Sequence, residues 1–441
     1  MLSVLANRTY RHLFLAQVIA LVGTGLATVA LGLLAFEIAG REAGAVLGTA
    51  LAIKMIAYVV IAPIAGALAE VLPRRGMLVT LDLVRAGVAL ALPFVSQVWE
   101  VYLLIFVLQS ASAAFTPTFQ ATIPDVLPNE RDYTRALSLS RLAYDLENLL
   151  SPAVAALLLL LVSYHTLFFG TVAGFLGSAL LVISVLLPKP KASVRRSFFE
   201  RTVRGLRAYL ATPRLRGLLA ISLSVSAAGS MVIVNTVVLV QAELGLGQRQ
   251  TAWALAAFGG GSMIAALLLP TLLNRVRDRR VMVAAAASLP PALVLSSLQP
   301  AYPALLALWL VTGLAYAAAQ TPAGRLLRRS SSDENRPSLF AAHFAASHAC
   351  WLLCYPLAGW LGAAAGLATA GLVLAAIAAT GVASALALWP ADDPEELKHD
   401  HPELAPDHPH LVEHGRAGGA HRHDYRIDEL HPSWPRHGQG S

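Results

Sequence analysis

The feature that most constrains this chain is a series of long apolar runs separated by short polar or basic segments. Runs of roughly 20 apolar residues match the thickness of a bilayer's hydrocarbon core when they are helical. The chain is 56% hydrophobic and only 13% charged, whereas soluble domains carry about 25% charged residues. The sequence therefore predicts an integral membrane protein.

Twelve such runs can be placed along the 441 residues. We expect helices, because an open sheet edge leaves backbone hydrogen bonds unsatisfied in lipid. The first run is too long for a cleaved signal peptide and is predicted to be a retained helix. The predicted spans are 12–36, 44–72, 77–97, 99–120, 136–162, 165–187, 215–241, 250–273, 281–299, 301–323, 338–363 and 367–389.

The distribution of basic residues predicts the orientation. The N-terminus and the loops after the even-numbered spans from the second to the tenth contain 23 lysines and arginines, and the alternate loops contain two, Arg41 and Arg249. The positive-inside rule then places both termini in the cytoplasm. We expect a multi-pass protein of the bacterial cytoplasmic (inner) membrane, whose basic loops orient helices in the lipid bilayer and do not bind nucleic acid.

The longest internal loop divides the spans into two sets of six. The predicted organisation is a six-helix bundle at 1–187, a linker at 188–214, a second six-helix bundle at 215–390 and a tail at 391–441. The linker is either an amphipathic helix on the membrane surface or a solvated basic segment. Apolar residues at near-helical spacing favour the helix; they are Phe198, Phe199, Val203, Leu206 and Leu210.

The two halves also resemble each other in sequence. Thr116-Pro117 ends the fourth span and Thr321-Pro322 ends the tenth, and a further proline follows 35 residues later at Pro152 and 34 residues later at Pro356. Parallel repeats of six helices build the halves of one large class of transporters. The pattern therefore predicts two pseudo-symmetric six-helix bundles.

The loop after the second span, residues 66–75, reads GALAEVLPRR. It resembles the signature that the major facilitator superfamily carries between its second and third helices, with Glu70 in place of the usual aspartate. In that family the loop acts as a conformational latch. We therefore assign the latch to six residues, namely Gly66, Glu70, Arg74, Arg75, Asp82 and Arg85.

Within that superfamily, the chain resembles the nickel-resistance exporters of the NreB type. The resemblance rests on residues 5–11, on residues 141–148 and on the histidine-rich segment that follows the last span. It covers all twelve spans and the tail. It implies export of Ni²⁺ and Co²⁺ from the cytoplasm, and the direction of transport comes from this resemblance alone.

The tail at 391–441 holds nine of the thirteen histidines and a net charge of −6. Imidazole is a suitable ligand for Ni, Cu and Zn. The polar composition predicts that the tail is disordered without metal. Its histidines either serve transport or only buffer or sense metal; the candidate ligands are His399, His401, His408, His410, His414, His421 and His423.

The eleventh span offers a possible metal site inside the bilayer. His343, Cys350 and Cys354 lie within about 40° of one another on a helical wheel, and one imidazole with two thiols can ligate a divalent ion. His343 and Cys354 are about 16 Å apart along the axis, so the cysteines form the tighter pair. Alternatively, these cysteines are small packing residues.

The fifth span carries the candidates for proton coupling. Asp145 can bind a cation or exchange protons, and Arg141 one turn away would hold it ionised. Glu147 is a second candidate on another side of the helix. The alternative is a structural ion pair without any contact to cargo.

Other polar residues lie within predicted spans. Lys54 in the second span and Glu37 near the outer end of the first could pair across the helices. The glycines at 259–261 precede no Lys-Ser/Thr and predict close packing or a bend. The side chains that could line a polar cavity or hold helices together are Gln17, Thr24, Gln109, Asn235 and Gln241.

No nucleotide-binding or catalytic motif stands out, so we expect no enzymatic activity and no cofactor. The leading hypothesis is export of Ni²⁺ and Co²⁺ by a monomer through proton antiport and alternating access. The alternative is proton-driven export of an organic solute, a drug or siderophore, with a tail that only buffers metal. A membrane metal sensor that does not transport is a third hypothesis.

Overall fold

The computed structural model describes most of the helical bundle and short parts of the tail. It describes residues 2–68, 72–129, 132–133, 135–136, 139–140, 143, 154–155, 157–188, 198–331, 336–393, 396–399, 411, 421–427, 430–431 and 434. Within these residues nearly all regular structure is helical. The fold is that of an all-α membrane protein.

The first half contains five described helices, which are α1 (Arg8–Ala39), α2 (Ala43–Leu68), α3 (Arg74–Ala91), α4 (Val98–Val126) and α5 (Tyr164–Ile183). Residues at both ends of α1 explain its boundaries. The Asn7 side chain accepts a hydrogen bond from the Tyr10 N–H and caps the start of α1. Gly40, with φ of 54°, ends α1 in a conformation that glycine adopts easily.

The second half begins with the linker helix and ends with a broken helix. Its helices are α6 (Phe198–Ala211), α7 (Pro213–Val238), α8 (Gln248–Leu273), α9 (Asp278–Ala287), α10 (Leu289–Ser297), α11 (Tyr302–Gln320), α12 (Ala323–Arg329) and α13 (Arg336–Leu388). Pro290 and Pro291 stand where α9 gives way to α10, because proline lacks the N–H that a continuous helix needs. Gly366, with φ of 84°, divides α13 into two membrane-spanning segments.

Eleven of the twelve predicted spans correspond to described helices. The exception, 136–162, lies mostly outside the described residues. Among the described residues, nine helical segments are long and apolar enough to cross a membrane. Two of them, Arg8–Ile61 and Ser338–Leu388, are long enough for two spans each. The prediction of a multi-pass helical bundle is confirmed.

The surface of the bundle is apolar where a soluble protein would be polar. Phe94, Leu161, Leu267 and Leu180 expose 76%, 84%, 73% and 66% of their surface. Exposed apolar area on this scale marks a surface that contacts something other than water. A lipid environment accounts for it.

The linker helix α6 packs on the first part of α13. The Tyr209 hydroxyl lies 3.0 Å from Nδ1 of His343, and the two rings are stacked. Burial raises the pKa of the Tyr209 phenol, with a smaller contribution from Cys350, so the hydroxyl keeps its proton. A helix is therefore present in the linker, and Tyr209 anchors it on a neighbouring helix. Its placement on the membrane surface stays a prediction.

The tail was predicted to be disordered, and the structure differs at the residues it describes. Strands β1 (Glu396–His399) and β2 (His421–Asp424) pair antiparallel, with His399 opposite His421. Tyr425 and Ile427 are buried. The prediction from composition missed these residues because a few apolar side chains, spaced far apart in sequence, supply a local core.

Candidate transport site

A cavity among the described residues lies between the two halves. Its volume is about 110 Å³, and its walls come from α1, α2, α7, α8 and α13. The polar side chains in its lining are Thr28, Lys54, Thr236, Thr251 and Tyr355. The remaining lining is glycine or aliphatic.

A second, much smaller cavity adjoins it inside the first half. Its volume is about 10 Å³, which is about the room that one water molecule needs. Its polar lining is Thr24, Thr28, Lys54, Gln109 and Ser112. Lys54 and Thr28 therefore contribute to both cavities, and the prediction that Thr24 and Gln109 line a polar cavity is confirmed.

Several hydroxyl groups of the lining already take part in hydrogen bonds. Thr28 donates to the Thr24 carbonyl at 3.0 Å, and Thr24 donates to the Ala20 carbonyl at the same distance. The Trp309 indole donates to the Thr236 hydroxyl at 2.9 Å. Gln109 is only 7% exposed, and its Oε1 accepts no hydrogen bond from the described residues.

Three other polar predictions have different outcomes. Asn235 donates to the Ala358 carbonyl at 2.9 Å and so joins α7 to α13. Gln241 donates to the Thr251 hydroxyl at 3.1 Å. Glu37 accepts a hydrogen bond from Tyr164, and that contact replaces the predicted pairing with Lys54.

The two halves are joined at the end of the bundle that holds Arg41 and Glu243. This end is here called the opposite end, because it lies opposite the end that holds the basic residues Arg74, Arg214 and Arg329. The Arg41 guanidinium donates to the Glu243 carboxylate at 3.1 Å and to the Ala242 carbonyl at 3.4 Å. Arg41 precedes α2 and Glu243 follows α7, so the ion pair links the first half to the second. This ion pair is a direct contact between the halves at that end.

Close packing of α2 on α13 forms a second contact between the halves. A Cβ on Gly359 would lie 2.1 Å from the Gly44 carbonyl oxygen, and one on Gly48 would lie 2.6 Å from the Tyr355 carbonyl oxygen. Only glycine allows such an approach of two backbones. Sequence reasoning missed this seam, although the Gly44-x-x-x-Gly48 spacing is a known signal for it.

The same seam continues toward the other end of the bundle. The Trp360 indole donates to the Thr49 hydroxyl at 2.9 Å. Further along, the His348 ring stacks on Tyr58 with centroids 6.0 Å apart and lies 3.8 Å from the Phe344 ring. The Trp360–Thr49 and His348–Tyr58 contacts continue the packing of α2 on α13 beyond the two glycine contacts.

The predicted latch residues form two separate groups at the basic end, which is the end that holds Arg74, Arg214 and Arg329. Arg74 makes an ion pair with Asp125 at the end of α4, and Arg75 donates to the Ile183 carbonyl of α5. Gly66 lies in the last turns of α2, and Glu70 lies outside the described residues.

Asp82 and Arg85 do not join that group. They form a buried ion pair, and the Ser178 hydroxyl donates to Asp82 at 2.7 Å. The Arg85 guanidinium lies 4.2 Å from the Phe115 ring centroid and 4.5 Å from that of Phe175. Asp82 lies two turns of helix further into the bundle than Arg74. Because Glu70 lies outside the described residues, the assignment of Asp82 and Arg85 to the latch stays a prediction.

The residues predicted for a metal site in the bundle are spread along α13. His343 faces Tyr209 of α6, Cys350 is half-buried, and Cys354 is fully buried. The described residues contain no group of three or more His, Cys, Asp or Glu that could hold a metal ion. Metal binding by His343, Cys350 and Cys354 therefore stays a prediction.

Several predicted residues fall outside the described ones. Arg141, Asp145 and Glu147 do so, and so do the tail histidines His401, His408, His410 and His414. In the tail, the rings of His423 and His431 have centroids 5.2 Å apart. The backbone register places His399 across from His421.

A match to a protein family identifies the superfamily to which the chain belongs. The family described as Major Facilitator Superfamily matches residues 13–239 and again residues 219–417. The chain belongs to the major facilitator superfamily. Its members and structural neighbours are transporters, not enzymes, and this chain is a multi-pass membrane transporter of the superfamily.

Curated relatives of this major facilitator protein match only in part. The Uncharacterized MFS-type transporter YfiS of Bacillus subtilis (strain 168) is 27% identical over 131 residues, which are 30% of this chain and 31% of that protein. Macrolide efflux protein A of Enterococcus faecalis is 27% identical over 153 residues, 32% of this chain and 47% of that protein. The chain thus spans less than half the length of these relatives.

Solved structures agree on the fold. The nucleoside transporter NupG superposes with a TM-score of 0.67 at 14% identity, covering 86% of this chain and 98% of that one. A bacterial homolog of the human lysosomal transporter Spinster, inward-facing and unoccupied, gives 0.62 at 12% identity, covering 86% and 94%. The major facilitator fold is confirmed, while the resemblance to nickel exporters gains no support from these relatives.

Proposed function

We propose that this major facilitator chain exports a small organic solute by alternating access, with the cavity between the halves as its binding site. The observation that carries the proposal is the lining of that cavity. Among the described residues it combines one ammonium group, several hydroxyls and aliphatic walls. A Ni²⁺ or Co²⁺ site needs imidazole, thiolate or carboxylate ligands, and none is among the described lining residues.

The direction of transport is supported by two of the relatives. Macrolide efflux protein A occurs in Enterococcus faecalis and in Streptococcus pyogenes, at 27% and 28% identity. Both matches cover under half of those proteins, so efflux is part of the proposal and the substrate of those proteins is not carried over.

The cavity also bears on the size of the solute. Pockets for drug-sized ligands measure about 300–1,000 Å³, and the cavity of about 110 Å³ is smaller. In this conformation it suits a small solute or the head group of a larger one. A larger solute would require the halves to separate further toward the basic end.

The energy source is proposed to be the proton gradient, with Asp145 or Glu147 as the coupling carboxylate and Arg141 as its partner. We also propose that both termini are cytoplasmic and that the membrane is the bacterial inner membrane, from the bias of basic loops.

Export of Ni²⁺ and Co²⁺ remains a second candidate on one observation. The paired strands of the tail place His399 opposite His421, and His423 lies near His431. Such an arrangement could gather imidazoles for a metal ion at the basic end. If the chain exports metal, the tail binds the ion first and passes it to a path through the bundle.

One experiment separates the two candidates. Cells with and without the chain are loaded with a panel of labelled organic solutes and, in parallel, with Ni, Co, Zn, Cu and Fe, and the retained amount of each is measured. Organic export predicts that a solute is lost faster in expressing cells while metal content stays equal. Lower nickel or cobalt content with unchanged solutes would reject the proposal in favour of metal export.

A further inference from the structure

The linker helix α6 has an exposed side besides the side that packs on α13. Gly205 and Tyr209 are buried against α13. Leu206 and Leu210 expose 41% and 45% of their surface, and Arg207 is exposed beside them. Exposed leucines one turn apart next to a basic residue are typical of a helix in a membrane interface, where apolar side chains enter the acyl boundary and cations stay among the head groups.

The contact with α13 places α6 at the edge of the membrane. A Cβ on Gly205 would lie 2.4 Å from the carbonyl oxygen of Ser338, in the first turn of α13. From Arg336 to the break at Gly366, α13 has about 30 residues and is about 45 Å long. A bilayer is about 40–45 Å thick with its head groups, and its hydrocarbon core about 30 Å. The first turns of α13, and α6 against them, therefore lie at head-group level.

The charge of the linker complements an anionic surface. Residues 188–211 contain seven lysines and arginines and one acidic residue. A cluster of four to eight basic residues beside a membrane helix attracts anionic lipids, and each such residue near the surface strengthens the association by about fivefold. Zwitterionic lipids carry no net charge and do not supply this attraction.

We propose that α6 is a docking surface for anionic phospholipid. Leu206 and Leu210 enter the acyl boundary of the bilayer, and the positive charge of the linker, Arg207 included, attracts the phosphate head groups. Tyr209 holds α6 on His343 of α13, and α7 begins two residues after α6 ends. Lipid bound to α6 therefore stabilises the second half of the bundle. This inference is independent of which solute is transported.

The test measures contact between α6 and lipid in the full chain. A Leu210→Cys variant, in a Cys350→Ala/Cys354→Ala background, is labelled with an environment-sensitive fluorophore and placed in nanodiscs of phosphatidylcholine. Quenching is measured with phosphatidylglycerol and with phosphatidylcholine that carry the same nitroxide on the acyl chain, at the same mole fraction. Iodide in the buffer reports exposure to water. Leu103→Cys, on an exposed position of α4 toward the opposite end, is the control site.

Both lipids should quench the fluorophore at position 210, and phosphatidylglycerol should associate there about tenfold or more tightly. At position 103 the two lipids should quench alike. Raising the salt concentration to about 1 M should reduce the preference at position 210, because salt screens exposed charges. Iodide should quench weakly at both positions.

Charge variants connect the preference to the linker. Arg207→Gln should lower it by up to about fivefold, and Arg201→Gln/Arg204→Gln/Arg207→Gln should remove it. Arg249→Gln removes the same charge at the opposite end and should leave the preference unchanged. The thermal unfolding midpoint in phosphatidylcholine verifies that each variant is folded.

Stability supplies a second measurement that needs no label. Phosphatidylglycerol in the nanodisc should raise the unfolding midpoint of the unchanged chain, since a ligand that binds only the folded state raises that midpoint. The triple arginine variant should show a smaller rise, and Arg249→Gln should show the full rise.

Several results would overturn the proposal. Equal association of the two lipids at position 210, or an unchanged preference in the triple variant, would show that anionic lipid is not selected. Strong iodide quenching without lipid quenching would show a solvated linker. Protection from both quenchers with energy transfer between chains would show a second copy on this face. Protection that is lost on truncation after Pro390 would identify the acidic tail as the occupant.

Discussion

The guanidinium of Arg41 and the carboxylate of Glu243 lie 3.1 Å apart, and this ion pair joins the two halves of the transporter at the opposite end. The Arg41 side chain is 73% exposed and that of Glu243 is 28% exposed. Exposed ion pairs contribute about 1 kcal/mol or less. The pair therefore biases the conformational equilibrium without locking it.

Arg41→Ala should shift the equilibrium toward opening at the opposite end by up to about fivefold, because a pair of that strength is lost. The measurement is the labelling rate of a cysteine introduced at Thr28, in a Cys350→Ala/Cys354→Ala background, by an impermeant reagent from the opposite side. Arg249→Ala is the matched control, since Arg249 shares that end and has no ion pair among the described residues. Equal labelling of the two variants would contradict the prediction.

Gly359→Ala should impair both stability and transport. Its new Cβ would lie 2.1 Å from the Gly44 carbonyl oxygen, and that backbone atom cannot turn away. Overpacking of this kind costs about 1–3 kcal/mol, which thermal unfolding would detect. Gly87→Ala is the matched control, because a Cβ there meets no atom within 4 Å. A Gly359→Ala protein as stable and active as Gly87→Ala would show that α2 and α13 are not held this tightly.

Asp82→Ala should destabilise the first half strongly. It leaves Arg85, itself buried, without its carboxylate partner, and removing one member of a buried pair costs about 3–5 kcal/mol. Thermal unfolding should show a large drop, with partial recovery in Asp82→Ala/Arg85→Met. Asp125→Ala, in the more exposed pair with Arg74, should cost less. A larger loss for Asp125→Ala would mean that the Arg74 pair is the main structural contact.

Truncation after Pro390 should separate metal binding from solute transport. It removes all nine tail histidines, so nickel bound per chain after dialysis should fall sharply, as metal analysis would measure. Organic solute efflux should remain, because the cavity lies in the bundle. A variant with the nine histidines changed to alanine keeps Asp393 and is the control for loss of the tail contacts. Loss of efflux in both proteins would make the histidines part of the transport path.

The membrane class and most helices were predictable from the sequence, because the length of an apolar run and the basic residues in the loops beside it are local properties of the chain. Pro290-Pro291 divide the predicted span 281–299 into α9 and α10, whereas Gly366 lies in the predicted gap between the spans 338–363 and 367–389. The linker helix was predicted from its spacing, but its contact through Tyr209 and His343 depends on residues 134 positions apart. A contact between residues so far apart in sequence cannot be predicted from the spacing of residues within the linker.

The site was less predictable for the same reason. Lys54 was identified as an unusual charge in the bilayer, yet its placement in both cavities depends on how α1, α2, α4 and α7 meet. Asp82 was grouped with Arg74 on sequence proximity, whereas burial pairs it with Arg85 and Ser178. The four-residue spacing of Gly44 and Gly48 was the one sequence feature noted here that could have predicted the close packing of α2 on α13.

Asp393, just beyond the last helix, makes ion pairs with Arg214 at the start of α7 and Arg329 at the end of α12. Both partners belong to the second half of the bundle, and the Arg214 guanidinium also lies 5.1 Å from the Trp434 ring centroid. Among the described residues, these ion pairs tie the start of the tail to the second half. A fluorophore placed on it, paired with one near Asn7, would report the rocking of the halves in single molecules.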